Sequence, residues 1–174
     1  MAALHPTGTA KAKDTISDEI MLDHVTSEVK LLDKLMEGKF LTPADRSWVL
    51  AQLEQTGQSR SGLVSVLHLT QDRIKNFVDA LLFLSKDTAM PLLPLMRFVP
   101  QRRISSFVPA AYLACLGVLP FDRLEEDLLV AVMNPYDRKI HENVQALSGR
   151  RCTFFLVSPL DYDSAIRVIG QDQG

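Results

Sequence analysis

Two pairs of neighbouring arginines are the clearest candidates for binding chemistry in this sequence. Arg102 and Arg103 follow Gln101, and Arg150 and Arg151 follow a glycine. A guanidinium group donates several hydrogen bonds in one plane, a geometry that suits phosphate and carboxylate groups. Aromatic residues are not interleaved with these arginines, as a platform for stacking nucleobases would require. The pairs predict contact with phosphate or with an acidic protein surface; the alternative is that they are ordinary solvated arginines.

The sequence lacks the residue sets of common catalytic and metal sites. It contains no phosphate-binding loop of the form G-x-x-x-x-G-K-[ST], and no G-x-S-x-G, H-E-x-x-H or G-x-G-x-x-G. The four histidines, at positions 5, 24, 68 and 141, have no second ligand at metal spacing, so we interpret them as surface or helix-facing side chains. The acidic run 125–127 is interpreted as a solvated turn. We therefore expect no enzymatic activity, no metal and no cofactor.

Length and composition fit one large domain or two small ones in a soluble protein. The chain has 174 residues, of which 47% are hydrophobic and 23% charged, and its formal net charge is -2. Such a charge provides no general attraction to nucleic acid. No run of about 18 or more apolar residues is present, so we expect no membrane span. Cys115 and Cys152 lie among apolar residues and are predicted to be buried, reduced thiols, which favours a cytoplasmic location.

Helical periodicity dominates the first half of the sequence. One helix is predicted from Ser17 to Gly38, a second from Thr42 to Gly57, and a third beginning at Thr70. Each start has a residue type that caps helices, and the first two ends have a glycine. The apolar positions predicted to face inward on these helices include Met21, Met36, Trp48, Val49, Leu53, Ile74, Val78, Leu81 and Leu82.

From about residue 90 the pattern changes to alternating strands and helices. Four prolines between 90 and 109 predict an extended segment. Further along, the predicted elements are an antiparallel hairpin of strands 118–121 and 128–133, a helix over 137–147, a strand over 152–157 and a helix over 158–170. We therefore predict an α+β fold. Its predicted parts are a disordered tail over 1–16, a helical subdomain over 17–85 and a small α+β subdomain over 90–170.

A short internal repeat lies within the helical half. Leu41-Thr42-Pro43-Ala44-Asp45-Arg46 resembles Leu69-Thr70-Gln71-Asp72-Arg73, which begins 28 residues further along. Each copy follows an apolar stretch and is predicted to begin a longer helix. This spacing predicts two tandem helix-loop-helix units that stack on each other. The alternative is that Leu-Thr is simply a common start of a helix.

The second half carries a longer pattern. It reads Val118-Leu119-Pro120-Phe121, then Asp127-Leu128-Leu129-Val130-Ala131-Val132-Met133-Asn134-Pro135-Tyr136-Asp137, and then a helix that ends at Gly149. The pattern resembles the N-terminal domain of the ATPases of type II secretion and type IV pilus assembly. The resemblance covers about residues 30–170. It implies a non-catalytic interaction module that links a cytoplasmic assembly ATPase to its membrane platform, in a chain too short to hold the motor as well.

A subset of this family, the MshEN type, binds cyclic di-GMP through tandem helical units of the form R-L-G-x-x-L-L-x-x-G-x-L-T. The first unit here has Lys30-Leu31-Leu32 in place of Arg-Leu-Gly, and the second keeps Arg60 and Gly62 but is shorter. Glycine lets a backbone approach a ligand closely. The losses predict weak or absent cyclic di-GMP binding, with Arg60 and Gly62 as the remaining candidate nucleotide-binding residues. A cyclic-dinucleotide-sensing regulatory domain is the alternative function.

The resemblance also implies protein partners and no nucleic acid. The first is the cytoplasmic domain of an inner-membrane platform protein, and a motor ATPase domain is a further candidate. The implied location is cytoplasmic, with peripheral attachment to the inner membrane through a protein. The candidate docking surface is formed by the helices of 17–56, and core packing is the alternative for its apolar residues. The candidate partner-binding residues are Met21, Met36, Trp48, Arg102 and Arg103.

Overall fold

The computed structural model describes residues 16–59 and 62–171, and the tail predicted over 1–16 lies almost wholly outside them. Seven α-helices and three strands are present in this part of the chain. In order they are α1 (Asp18–Glu37), α2 (Pro43–Ser59), α3 (Val66–Thr70), α4 (Phe77–Thr88), α5 (Arg102–Ser105), β1 (Val118–Leu124), β2 (Asp127–Val132), α6 (Arg138–Ser148), β3 (Cys152–Leu156) and α7 (Pro159–Gln171). A 3₁₀ turn (Leu95–Arg97) precedes α5, and a π-helical turn (Tyr112–Leu116) precedes β1. The predicted α+β fold is confirmed.

The first two helices begin where the capping residues predict. The Ile20 N–H donates to Ser17 Oγ at 3.3 Å. At the start of α2, the Asp45 N–H donates to Thr42 Oγ1 at 3.2 Å while the Thr42 N–H donates to Asp45 Oδ2 at 2.9 Å. The predicted end of α2 at Gly57 is wrong, because the helix continues to Ser59. A glycine inside a helix costs only about 1 kcal/mol, so it does not by itself stop one.

The third helix does not begin at Thr70 as predicted. Thr70 is instead the last residue of α3, and its hydroxyl donates to the Val66 carbonyl at 2.7 Å. The next helix, α4, begins only at Phe77. The later start leaves Val78 and Leu82 exposed, although Leu81 is buried as expected. Thr is compatible with both ends of a helix, because its hydroxyl can also bond a carbonyl one turn earlier.

The sheet has the strand order β1-β2-β3. β1 and β2 form the predicted antiparallel hairpin, which is longer than expected, and β2 and β3 are parallel. Part of the predicted extended segment joins the far edge of β3: the Leu93 N–H donates to the Leu156 carbonyl at 2.8 Å, and the Leu156 N–H donates to the Pro91 carbonyl at 2.9 Å. The 3₁₀ turn and α5 interrupt the rest of that segment.

The sheet lies between two apolar layers, because successive strand residues point to opposite faces. One face carries Leu119, Phe121 and Ala131, which pack with α1, α2, α4 and α7 in a single buried cluster. The other face carries Val118, Val130 and Val132, which pack with α6 and the π-helical turn. Apolar contacts therefore connect the helical half of the chain to the sheet. None of the described helices is long and apolar enough to span a membrane.

Phe121 occupies the centre of the first layer. Its ring is fully buried and meets the ring of Phe98 at a centroid distance of 5.1 Å and that of Phe155 at 6.1 Å. Both pairs are edge-on, the arrangement that aromatic quadrupoles favour.

The two cysteines, Cys115 and Cys152, are free but only half-buried, and burial raises the pKa of both thiols.

Candidate functional site

The buried face of α1 carries two ionisable residues. His24 and Glu28 are almost completely buried, and they share this face with Leu31 and Leu35 at successive spacings of four, three and four residues. Ionisable side chains are rarely buried unless hydrogen-bonded or ion-paired. The side chains that pair with them come from a distant part of the sequence.

The partners lie in the turn that leads into α6. Asn134 Oδ1 accepts a hydrogen bond from the Tyr136 N–H at 2.9 Å, and Asn134 Nδ2 donates to Glu28 Oε1 at 3.1 Å. Asp137 precedes the first residue of α6, but its side chain makes no hydrogen bond to that helix. Its carboxylate lies 3.0 Å from His24 Nδ1 instead, and it accepts a hydrogen bond from Ser27 Oγ at 3.3 Å. We call His24, Glu28, Asn134 and Asp137 the buried polar cluster.

Both ring nitrogens of His24 face acceptors. Nδ1 lies 3.0 Å from Asp137 Oδ2 and Nε2 lies 2.6 Å from the Val64 carbonyl. A neutral imidazole carries only one N–H, so this arrangement favours the protonated ring. Burial alone lowers the pKa of His24, but the hydrogen bond to Asp137 and the charges of Glu28 and Asp137 outweigh it and raise the pKa above its ordinary value.

Glu28 is held by donors from two directions. Its Oε2 accepts from the Val66 N–H at 2.7 Å, and its Oε1 accepts from Asn134. Complete burial raises the pKa of Glu28, and the nearby His24 charge and these hydrogen bonds offset only part of the rise. The buried polar cluster thus ties α1 to two other segments, the start of α3 and the turn before α6. This arrangement was not predicted from the sequence, although the spacing of His24 and Glu28 on an apolar helix face indicated that both are buried.

The other two described histidines lie in different surroundings from each other. His141 is buried, its ring is stacked on Phe154 at a centroid distance of 4.5 Å, and burial lowers its pKa. His68 is partly exposed, and its Nε2 lies 2.8 Å from an Asp163 carboxylate oxygen. Within residues 16–59 and 62–171, no three His, Cys, Asp or Glu side chains are grouped so that they could hold a metal ion.

The two copies of the repeat lie side by side. Asp45 and Arg73 occupy corresponding positions in the two copies, and Arg73 Nη1 lies 3.0 Å from Asp45 Oδ1. The Arg73 guanidinium also lies over the Trp48 ring, 3.7 Å from its centroid. Trp48 is therefore a partly exposed side chain covered by an arginine, while Val49 and Leu53 provide the buried stripe of α2.

The two loops of the repeat differ in how open they are. Gly62 has a φ of +89°, and among the described residues beyond its chain neighbours no atom lies within 4 Å of where its Cβ would stand. In the first copy, a Cβ at Gly38 would lie 2.5 Å from the Phe40 ring, and Leu31 and Leu32 are fully buried. Of these two described glycines, Gly62 is the one with open space beside it. Arg60, the other candidate nucleotide-binding residue, lies outside the described residues.

An apolar groove of about 320 Å³ runs between α1 and α2. Its apolar lining residues are Met21, Leu22, Val25 and Leu53, and its edges carry Asp18 and Glu54. Met21 is mostly buried at the bottom of this groove, whereas 66% of the Leu22 surface is exposed. We call this the α1–α2 groove. Met36, the second candidate methionine, packs half-buried against the core and does not line it.

The candidate arginines fall near one another. Arg102 and Arg103 are exposed on α5, and Arg103 lines a small cavity to which Arg150 also contributes. Arg151 points elsewhere and pairs with Asp127, with 2.7 Å between Nε and Oδ1. The structure therefore brings one arginine from each predicted pair to the same place, and leaves the docking candidates Met21 and Trp48 on separate parts of the helical half.

Comparison with known proteins agrees with the second-half pattern. Residues 88–174 match the family model of the MshEN domain. No curated protein matches the chain. A solved structure described as "Structure of MshE with cdg" is 19% identical, and the match covers 79% of this chain and 97% of that chain with a TM-score of 0.49.

Proposed function

This chain belongs to the MshEN domain family, and from that premise we propose that it is a non-catalytic docking module of a type II secretion or type IV pilus-like system. In this role it joins a cytoplasmic assembly ATPase to the cytoplasmic domain of an inner-membrane platform protein. It is then peripheral to the inner membrane through that protein contact. Membership of the MshEN domain family supports the assignment to a secretion or pilus-like system. The exposed surface of the helical half supports the docking role.

The α1–α2 groove is the observation that carries this proposal. Its floor is apolar, Leu22 stands largely exposed at its side, and carboxylates of Asp18 and Glu54 lie at its edges. A groove between two helices suits an amphipathic helix that inserts apolar side chains. The acidic edges favour basic residues beside those side chains. We propose that the platform protein supplies such a helix.

Replacing Leu22 with arginine is expected to weaken binding of the platform protein's cytoplasmic domain about tenfold or more. The change removes an apolar contact and sets a positive charge against a basic partner, and central contacts of an interface are worth about 2 kcal/mol or more. Isothermal titration with the purified partner domain measures the effect. Leu160→Arg on α7 is the matched control, because Leu160 is 67% exposed, against 66% for Leu22. Equal affinities for the two variants would contradict the proposal.

Cyclic-dinucleotide sensing is the second candidate function, and the open loop at Gly62 favours it. A positive φ and the empty space above Gly62 would let a ligand approach the backbone. The first copy of the repeat has no equivalent opening, because Leu31 and Leu32 are buried in the core. We therefore expect at most weak binding of cyclic di-GMP in isothermal titration of the full chain. Low-micromolar affinity that Gly62→Val abolishes would favour sensing over this expectation.

A further inference from the structure

A cavity of about 200 Å³ beside α5 brings together three arginines that are distant in sequence. Arg103 belongs to α5, Arg123 lies near the end of β1, and Arg150 follows α6. The other residues that line the cavity are Gln101, Ile104 and Phe107. Three guanidinium groups and no carboxylate give this lining a formal charge of +3, in a chain whose net charge is -2. Like charges gathered in this way repel one another unless an anion lies between them.

The guanidinium groups are available to a ligand. Among the residues that the structure describes, the guanidinium groups of Arg103 and Arg123 form no salt bridge and no hydrogen bond. The hydrogen bonds to side chains that these two residues do form use backbone atoms, the Arg103 carbonyl with Ser106 and the Arg123 N–H with Asp122. Arg150 Nη1 lies 3.5 Å from an oxygen of Glu126, whose side chain is 95% exposed, so this pair is weak. The Arg150 guanidinium also lies over the Phe107 ring, 5.0 Å from its centroid, a contact that holds it at the edge of the cavity.

We propose that this arginine cavity binds the phosphate group of a small phosphate ester. Planar guanidinium groups pair with phosphate through two parallel hydrogen bonds, and the Gln101 amide adds a further donor. A second cavity of about 560 Å³ adjoins the first and shares Phe107 and Arg150 with it. It offers room for the organic part of the ligand, beside an aromatic ring. The arginine cavity is separate from the α1–α2 groove, so the proposal does not depend on the docking role.

Titration of the full chain with inorganic pyrophosphate and with adenosine diphosphate, followed by amide NMR shifts, tests the proposal. Saturable binding of either probe is expected, with shifts around Phe107 and Arg123. Arg103→Gln and Arg123→Gln should each weaken that binding about tenfold or more, since each removes a charge-assisted hydrogen bond. Arg97→Gln is the matched control, because Arg97 is exposed on the 3₁₀ turn and does not line the cavity.

Three results would overturn the proposal. The first is that neither probe gives saturable binding in the millimolar range. The second is that Arg97→Gln weakens binding as much as Arg103→Gln, which would indicate general electrostatic attraction. The third is that succinate binds as tightly as the phosphate probes, which would assign the cavity to carboxylates of an acidic protein surface. Shifts at Ser148 and Gly149 with adenosine diphosphate, and none there with pyrophosphate, would further support the second cavity as the site of the organic part.

Discussion

Replacing Glu28 with alanine is expected to lower the free energy of unfolding by about 3–5 kcal/mol. The change removes the acceptor of the Val66 N–H and of the Asn134 amide, and it takes a negative charge away from the buried His24. The Val66 N–H and the Asn134 Nδ2 would then be buried without an acceptor, which costs far more than the net contribution of an intact hydrogen bond. Urea unfolding followed by circular dichroism at neutral pH measures the effect.

Two further variants separate the buried polar cluster from charge effects in general. Glu28→Gln keeps an oxygen that can accept a hydrogen bond from the Val66 N–H. It should therefore lower the free energy of unfolding less than Glu28→Ala does. Asp33→Ala breaks the exposed pair with Arg46, whose atoms lie 2.9 Å apart, and should cost about 1 kcal/mol or less. The interpretation would be wrong if Glu28→Ala were as mild as Asp33→Ala.

Replacing Phe121 with alanine is expected to cost about 3–5 kcal/mol of unfolding free energy. The ring is fully buried between Phe98 and Phe155, so its removal would leave a cavity bordered by the 90–100 segment and by two strands. Strand backbones held by ladder hydrogen bonds have little freedom to collapse into that space. The midpoints of thermal unfolding and of urea unfolding should both be lower in this variant.

Leu124→Ala is the control for this prediction. Leu124 belongs to the same strand, β1, but its side chain is largely exposed, so its removal should change stability by about 0.5 kcal/mol or less. Similar losses for the two variants would show that β1 tolerates truncation generally and that the aromatic contacts of Phe121 contribute little.

Helix starts and strands could be predicted from the sequence where the residue type concerned is compatible with a single structural role. Ser17 and Thr42 begin helices, and two β-rich runs form a hairpin, as predicted. Thr70 was misread because threonine is compatible with both ends of a helix, and the tertiary structure decides between them. The shift to Phe77 as the start of α4 then moved Val78 to the surface.

The candidate sites are formed by residues that lie far apart in the sequence. Sequence patterns do not show which of these distant residues come into contact. His24 and Asp137 meet although 113 residues separate them. Arg103 and Arg150 were each noticed in sequence, but Arg123 was not, because only the folded hairpin brings it to the same cavity. A helical wheel of α1 would have placed His24 and Glu28 on the buried face, which was the one available signal.

The residues of the buried polar cluster lie far apart in the sequence, and this separation affects folding during synthesis. Translation proceeds at about 5–20 residues per second, so His24 leaves the ribosome about 6–23 seconds before Asp137, 113 residues later. During that interval the partners of His24 and Glu28 from outside α1 are the Val64 carbonyl and the Val66 N–H, and the side chains of Asn134 and Asp137 are still missing. We expect the nascent first half to stay loosely folded until the turn before α6 is synthesised. Chaperones that hold exposed apolar surface would then act mainly in this interval.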